Sequence, residues 1–99
     1  MPEHPLQIFE KLDPQLRKLI ESTRELALAD GALPRKFKLL IAMVIDADHG
    51  ATQGVKSLAQ AAMQAGATKE ELTEALRVAQ YVSGAGSVYT AAHALNELF

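Results

Sequence analysis

The stretch LPRKFKLLIAMVIDADHG, residues 33–50, constrains the fold more than any other part of this chain. Pro34 suits the first turn of a helix and Gly50 suits the end of one, so we predict a helix from Pro34 to about His49. Beyond Lys38 nearly every face of it is apolar, and a helix that is hydrophobic all round is a buried helix. One domain of 99 residues is small for burying a helix completely. We therefore expect a subunit interface to cover part of it, which makes the protein a homo-oligomer.

The segment before this helix carries the spacing and the end signals of a second one. Pro5 to Lys11 adds a helical turn or two, Asp13-Pro14 is an N-cap followed by proline at the first helical position, and Gly31 is a C-terminal cap. Apolar residues recur between them at helical spacing, and we expect the charged residues to lie elsewhere on the surface. The two groups are Leu16, Leu19, Ile20, Thr23, Leu26 and Ala27 against Arg17, Lys18, Glu21, Arg24 and Glu25.

Three further helices are predicted after the central one. The first runs from about Thr52 to Ala65, and Thr68-Lys-Glu-Glu71 is a capping box that opens the next. Ser83-Gly-Ala-Gly-Ser87 interrupts the pattern, and the last helix runs from about Val88 to Leu98. No segment alternates with period two, which a half-buried strand would require. The predicted fold class is therefore all-α: one compact domain over residues 1–99, a bundle of about six helices.

Composition excludes several classes of function. Ten basic and twelve acidic residues give a net charge of −2 without a basic stripe, so we expect no nucleic-acid partner. The absence of cysteine excludes disulfides, thiolate metal sites, iron–sulfur clusters and a cysteine nucleophile. The N-terminus MPEHPLQIF does not have the pattern of a signal peptide. The longest apolar run, Leu39 to Ile45, is far shorter than the roughly 20 residues of a membrane span. We expect a cytoplasmic protein without a membrane partner.

His49 is the residue that most suggests catalysis, because it lies beside Asp46 and Asp48. A histidine within a turn of carboxylates could act as a general base. The competing interpretation is structural: a cation in the last helical turn favours the helix dipole and can bond free carbonyls. With His93, these three residues could also form a metal site, but their spacing is not a recognised ligand pattern. We favour the structural interpretation and expect neither a metal nor another cofactor.

The glycine break before the last helix is flanked by hydroxyl groups that could bind a small ligand: Tyr81, Ser83, Ser87 and Tyr89. Such a stretch is more typical of a helix–helix connection with local hydroxyl-to-backbone bonds. Gly84-Ala85-Gly86 is not a phosphate loop, because it lacks the third glycine, the preceding strand and the lysine.

Several features between Leu33 and Ala94 occur in a fixed order and spacing. Leu-Pro-Arg precedes the long apolar helix, Gly50 precedes the next one, and the later features are Ala62, Gly66-Ala67-Thr68, Glu71, Glu74 and Tyr81 before the Gly/Ala break. In these features the chain resembles the carboxymuconolactone decarboxylase family and its alkyl-hydroperoxidase-D-like relatives. The resemblance implies an all-helical subunit that assembles into homo-oligomers, commonly trimers or hexamers.

The resemblance also implies chemistry whose residues are absent here. Peroxidase-type members carry C-x-x-C at the start of the helix after the glycine, a histidine four residues beyond the second cysteine, and a glutamate on the preceding helix. Counting back from Gly66, the cysteine positions are Ala51 and Gly54, the histidine position is Leu58 and the glutamate position is Leu39. This peroxide reduction needs a thiolate and a resolving thiol, so we expect no thiol peroxidase activity. The decarboxylase branch keeps the histidine, and leucine in its place counts against lactone decarboxylation as well.

Two functions stay open at this point. The first is a small-molecule-binding or catalytically degenerate homo-oligomer with a drier pocket at the family's site positions, which are Leu39, Ala51, Gly54 and Leu58. The second is a thiol-independent decarboxylase or lactone-handling enzyme that uses His49, with Tyr81 as a hydrogen-bond donor. The direction of the His49 ring separates the two functions. No residue selects a third role, that of a partner for an intact peroxidase.

Overall fold

A computed structural model describes residues 5–99, and over this range the chain forms helices and connections without a strand. The predicted all-α class is therefore confirmed. A 3-10 turn over Pro5–Ile8 leads into α1 (Phe9–Leu12), and five longer helices follow: α2 (Pro14–Leu28), α3 (Arg35–Asp48), α4 (Thr52–Gln64), α5 (Lys69–Ser83) and α6 (Ala85–Leu95). Among these helices, none has both the length and the apolarity that crossing a membrane requires.

The two predicted side-chain caps are present. Asp13 Oδ1 accepts a 3.0 Å hydrogen bond from the Leu16 N–H at the start of α2. Thr68 and Glu71 form the capping box of α5: the Glu71 N–H donates to Thr68 Oγ1 at 3.1 Å, and the Thr68 N–H donates to Glu71 Oε1 at 2.8 Å. Lys36 Nζ lies 3.1 Å from Glu71 Oε2. The Thr68 N–H first, and then the Lys36 ammonium, hold the pKa of the Glu71 carboxyl below its ordinary value.

Three predicted helix ends are displaced by about three residues. Helix α2 ends at Leu28 rather than at Gly31, because Ala29 is already extended and the Asp30 carboxylate accepts a bond from the Arg35 N–H at 2.6 Å. Helix α6 begins at Ala85 rather than at Val88 and ends at Leu95 rather than at Leu98. Gly84 alone makes the break. Its φ is 86° and its ψ is −172°, a backbone conformation that residues other than glycine rarely adopt. Ser87, predicted in the break, lies in the first turn of α6.

The core lies among α3, α4, α5 and α6, with α3 packed against the other three and α6 packed against α4 and α5. Met43, Val55 and Leu72 are completely buried. Alanines occupy the buried positions where α4 faces α6, which lets the two backbones approach closely. The buried alanines of these two helices are Ala59, Ala62, Ala91 and Ala94.

Helix α2 lies outside this core and contains no buried residue. Its C-terminal end is fastened to α3: Lys38 Nζ donates to the Ala29 carbonyl at 2.6 Å, and the Arg35 guanidinium donates to the Leu28 carbonyl at 3.4 Å. The leucine-rich stripe of α2 does not face the core, because Leu19 and Leu26 are 62% and 83% exposed. The face toward the body of the protein includes the half-buried Arg17, Ile20 and Leu28 instead.

Helix α3 is buried on one face only within this chain. Leu39, Leu40, Met43 and Ala47 form the buried side. Phe37, Ile41 and Ile45 recur every four residues, a spacing that places them on one helical face, and all three are exposed. Complete burial of α3, as the sequence suggested, would require a surface outside the described chain.

Candidate ligand-binding cleft

A cleft of about 620 Å³ separates α2 from the α3–α4 pair. Its volume falls in the range of about 300–1,000 Å³ that is usual for small-molecule sites. The α2 wall repeats at intervals of three and four residues, which is the spacing of a single helical face. That wall is formed by Arg17, Ile20, Glu21, Arg24 and Leu28.

The opposite wall contains three of the four positions at which the resemblance placed the family's chemistry. Leu39, Gly54 and Leu58 line the cleft, together with Ala61. Leu39 is 1% exposed and Leu58 is half-buried, so the cleft has an apolar floor. Ala51 is not part of the lining, but its Cβ would lie 3.6 Å from a Cβ built on Gly54. The expected pocket positions are thus grouped around one cavity.

Gly54 leaves room for the Asp46 side chain at the wall of the cleft. A Cβ built on this residue would stand 2.9 Å from Asp46 Cγ and closer still to Asp46 Oδ2. The Asp46 carboxylate, near the C-terminal end of α3, therefore occupies the space that a side chain on α4 would need at position 54. Asp46 also lines the cleft. The family position of the second cysteine is filled here by a carboxylate from the neighbouring helix.

The charged groups of the cleft are only partly paired. Arg17 NH2 lies 2.9 Å from Glu21 Oε1, one helical turn away. The Arg17 Nε atom is buried and has no hydrogen-bond partner among the described residues. Over residues 5–99, the Asp46 carboxylate and the Arg24 guanidinium have neither an ion pair nor a hydrogen bond. Among the described residues, the cleft thus presents unpaired charged groups of both signs above an apolar floor.

The two residues proposed for catalysis lie elsewhere. His49 is the C-cap of α3, is exposed and is not among the residues that line the cleft. Tyr81, on α5, is 87% exposed and also lies outside the cleft lining. Their catalytic roles stay predictions. His93 is exposed in the last turn of α6. Within residues 5–99, no group of three or more histidine, aspartate or glutamate side chains could hold a metal ion.

Asp46, Arg17 and Arg24 are charged cleft residues that, like most of the lining, the sequence did not indicate as part of a pocket. The arginines were expected on the outer surface because the leucines of α2 form the more obvious apolar stripe. One pattern could have found them: Arg17 and Arg24 share a helical face with Ile20 and Leu28. Asp46 lies eight residues before Gly54, across the turn between α3 and α4, so only the tertiary structure brings them together.

The fold and the cleft define a class: a small all-α domain with a ligand-sized cavity between a peripheral helix and the helical core. Residues 10–97 match the Carboxymuconolactone decarboxylase family, and the chain belongs to that family. Among solved structures, it is similar to the apo form of lpg0406, a carboxymuconolactone decarboxylase family protein from Legionella pneumophila. The two share 36% sequence identity with a TM-score of 0.86, over 92% of this chain and 81% of the other. No curated protein matches the chain.

Proposed function

We propose that this chain is a small-molecule-binding member of the carboxymuconolactone decarboxylase family that has lost the thiol peroxidase chemistry. The observation that carries the proposal is the cleft itself. It is large enough for a small ligand and is lined by residues at the family's reactive positions, now Leu39, Gly54 and Leu58. Apolar side chains at these positions can bury the body of a ligand but cannot relay a proton. Binding without thiol turnover follows.

Filling the cleft tests this function. We expect Leu58→Trp to abolish ligand-induced chemical shifts in protein-detected NMR against a panel of small organic molecules. Gln60→Trp is the matched control, because Gln60 is an exposed residue of the same helix and does not line the cleft. A panel that binds the wild type, the Leu58 variant and the Gln60 variant equally would refute binding at this cleft.

The loss of peroxidase chemistry has its own test. The purified protein should show no turnover of organic hydroperoxides with a dithiol donor, because it has no thiolate to attack the peroxide. A relative with an intact C-x-x-C pair serves as the positive control in the same assay. Robust turnover that disappears on substitution of His49 would overturn the proposal and favour chemistry at that residue.

The lyase alternative needs a base that reaches a bound substrate. An exposed His49 that does not line the cleft does not supply one, so the geometry gives this alternative no specific support. It predicts that His49→Gln abolishes decarboxylation or lactone opening while leaving ligand binding intact. Binding proposed here needs no contribution from His49.

We also propose that the chain forms a homo-oligomer, a trimer or hexamer, through the exposed stripe of α3. Phe37, Ile41 and Ile45 are 39%, 47% and 50% exposed on one face of the helix, and covering them would remove apolar surface from water. Light scattering after size exclusion should give a multiple of 10.7 kDa, and Ile41→Lys should lower it. Gln60→Lys is the control at a polar exposed site. A monomer at micromolar concentration would contradict the proposal.

A further inference from the structure

The two walls of the cleft carry charges of opposite sign that have no protein partner within residues 5–99, and together they indicate a ligand class. On the α3–α4 wall the half-buried Asp46 carboxylate lies over Gly54 and, among the described residues, has no partner. On the α2 wall, within residues 5–99, the exposed Arg24 guanidinium has no ion pair or hydrogen bond and the buried Arg17 Nε donor has no acceptor. Unsatisfied polar groups at the edge of an apolar cavity are costly unless a ligand or water satisfies them.

We infer that the cleft binds a small zwitterionic molecule with an apolar body, an ammonium group that meets Asp46 and a carboxylate that meets the Arg17–Arg24 wall. This inference rests on the proposed ligand-binding function and adds the chemical class of the ligand. A monovalent ligand would satisfy only one wall. An ammonium offers three donors to the carboxylate, and a carboxylate accepts charge-assisted bonds from guanidinium groups.

The cleft is paired internally only in part, since Glu21 of the α2 wall pairs with Arg17 and leaves Arg24 and Asp46 to a ligand. Arg17 is already held by Glu21 at 2.9 Å, which fixes that guanidinium to its own helix while leaving Nε unsatisfied. Gly54 provides the room in which the Asp46 carboxylate stands; any larger residue there would displace it. Leu39, Leu58 and Ala61 lie between these polar groups and the core, where a short hydrocarbon body loses contact with water.

A matched set of four probes tests the inference: 6-aminohexanoate, hexanoate, hexylamine and hexan-1-ol, titrated by protein-detected NMR. All four have the same six-carbon body and differ only in their end groups. We expect 6-aminohexanoate to bind about tenfold more tightly than either singly charged probe, since each charge-assisted bond is worth roughly a factor of ten or more.

Two variants test which wall of the cleft binds each end group of the ligand. Asp46→Asn should remove the advantage of the ammonium, bringing 6-aminohexanoate down to the affinity of hexanoate. Arg24→Met should remove the advantage of the carboxylate. Asp48→Asn, at an exposed aspartate of the same helix, and Lys18→Met, at an exposed cation of α2, are the charge-matched controls, and neither should change any affinity.

The outcomes distinguish a failure of the zwitterion assignment from a failure of the proposed ligand binding. If all four probes bind equally and Leu58→Trp blocks them, the cleft binds small molecules but the zwitterion assignment is wrong. If no probe shows Leu58-dependent binding, both the assignment and the cleft as a site for such ligands are refuted. An advantage of 6-aminohexanoate that persists in Asp46→Asn refutes the ammonium contact.

Discussion

Replacing Gly54 with alanine probes the contact on which the cleft depends. Gly54 lies in the first turn of α4 and does not have a positive φ. The higher helix propensity of alanine should therefore raise the free energy of unfolding by about 1 kcal/mol. The new Cβ would stand 2.9 Å from Asp46 Cγ and must push the carboxylate aside. Because this obstacle is the end of a flexible side chain, we expect a cost of only about 0.5–1 kcal/mol.

Gly86→Ala is the matched control. Gly86 also lies in the first turn of its helix, and a Cβ built on it would meet nothing within 4 Å. Urea unfolding should therefore show Gly86→Ala stabilised by about 0.5–1 kcal/mol, with Gly54→Ala close to wild type. A difference of 1 kcal/mol corresponds to about 4–8 °C in Tm for a domain of this size.

A double-mutant cycle tests whether the Asp46 carboxylate is the obstacle to a side chain at position 54. In an Asp46→Ala background the obstacle is gone, so Gly54→Ala should become as stabilising as Gly86→Ala. If the difference between the two glycine variants is the same with and without the Asp46 carboxylate, that carboxylate is not what fills the space above Gly54. Asp46 would then not lie against Gly54 at the cleft wall.

Three further predictions concern the scaffold. Thr68→Ala should lower the free energy of unfolding by about 1 kcal/mol, since it removes the 3.1 Å cap of α5; Thr73→Ala, at an exposed hydroxyl, is the control. The pKa of Glu71 is lowered on folding from 4.5, so its contribution is full above about that pH and is lost as the pH falls through the lower folded value. Urea titrations of wild type and Glu71→Gln should converge at low pH. Met43→Ala should cost about 2–5 kcal/mol, because Met43 is completely buried.

Each of these has a result that would contradict it. If Thr68→Ala left the urea midpoint of unfolding unchanged, the capping box would contribute nothing to the stability of α5. A gap between wild type and Glu71→Gln that widens in acid would reverse the sign of the Glu71 contribution. A cost below 1 kcal/mol for Met43→Ala would place Met43 outside a packed core.

Local rules predicted much of the scaffold because the residues that obey them are adjacent in sequence. Asp13 and the Thr68–Glu71 pair cap helices through bonds spanning three residues, so a short window of sequence is enough to find them. The break at Gly84 was predicted, but its predicted extent over Ser83–Ser87 was too long: Gly86 and Ser87 belong to α6, because one glycine with a positive φ is enough to redirect the chain.

The cleft was harder to predict because it depends on how separate helices face one another. Helix α2 has a leucine-rich stripe and a second stripe with Arg17, Ile20 and Arg24, and hydrophobicity alone selects the first. The fastening of α2 by Arg35 and Lys38 turns the second stripe toward the core instead. Leu39, Gly54 and Leu58, which the resemblance indicated, line one cavity, but the resemblance carried no information about Asp46.

Helix α2 forms one wall of the cleft without contributing a single buried residue. Because the fully buried core lies in the other helices, we expect the free energy of local opening of α2 to lie below that of global unfolding. Its amide hydrogens should exchange with solvent much faster than those of α4, which carries Val55, Ala59 and Ala62 in the core. Such opening would give the proposed ligand a route to the cavity while the rest of the bundle stays folded.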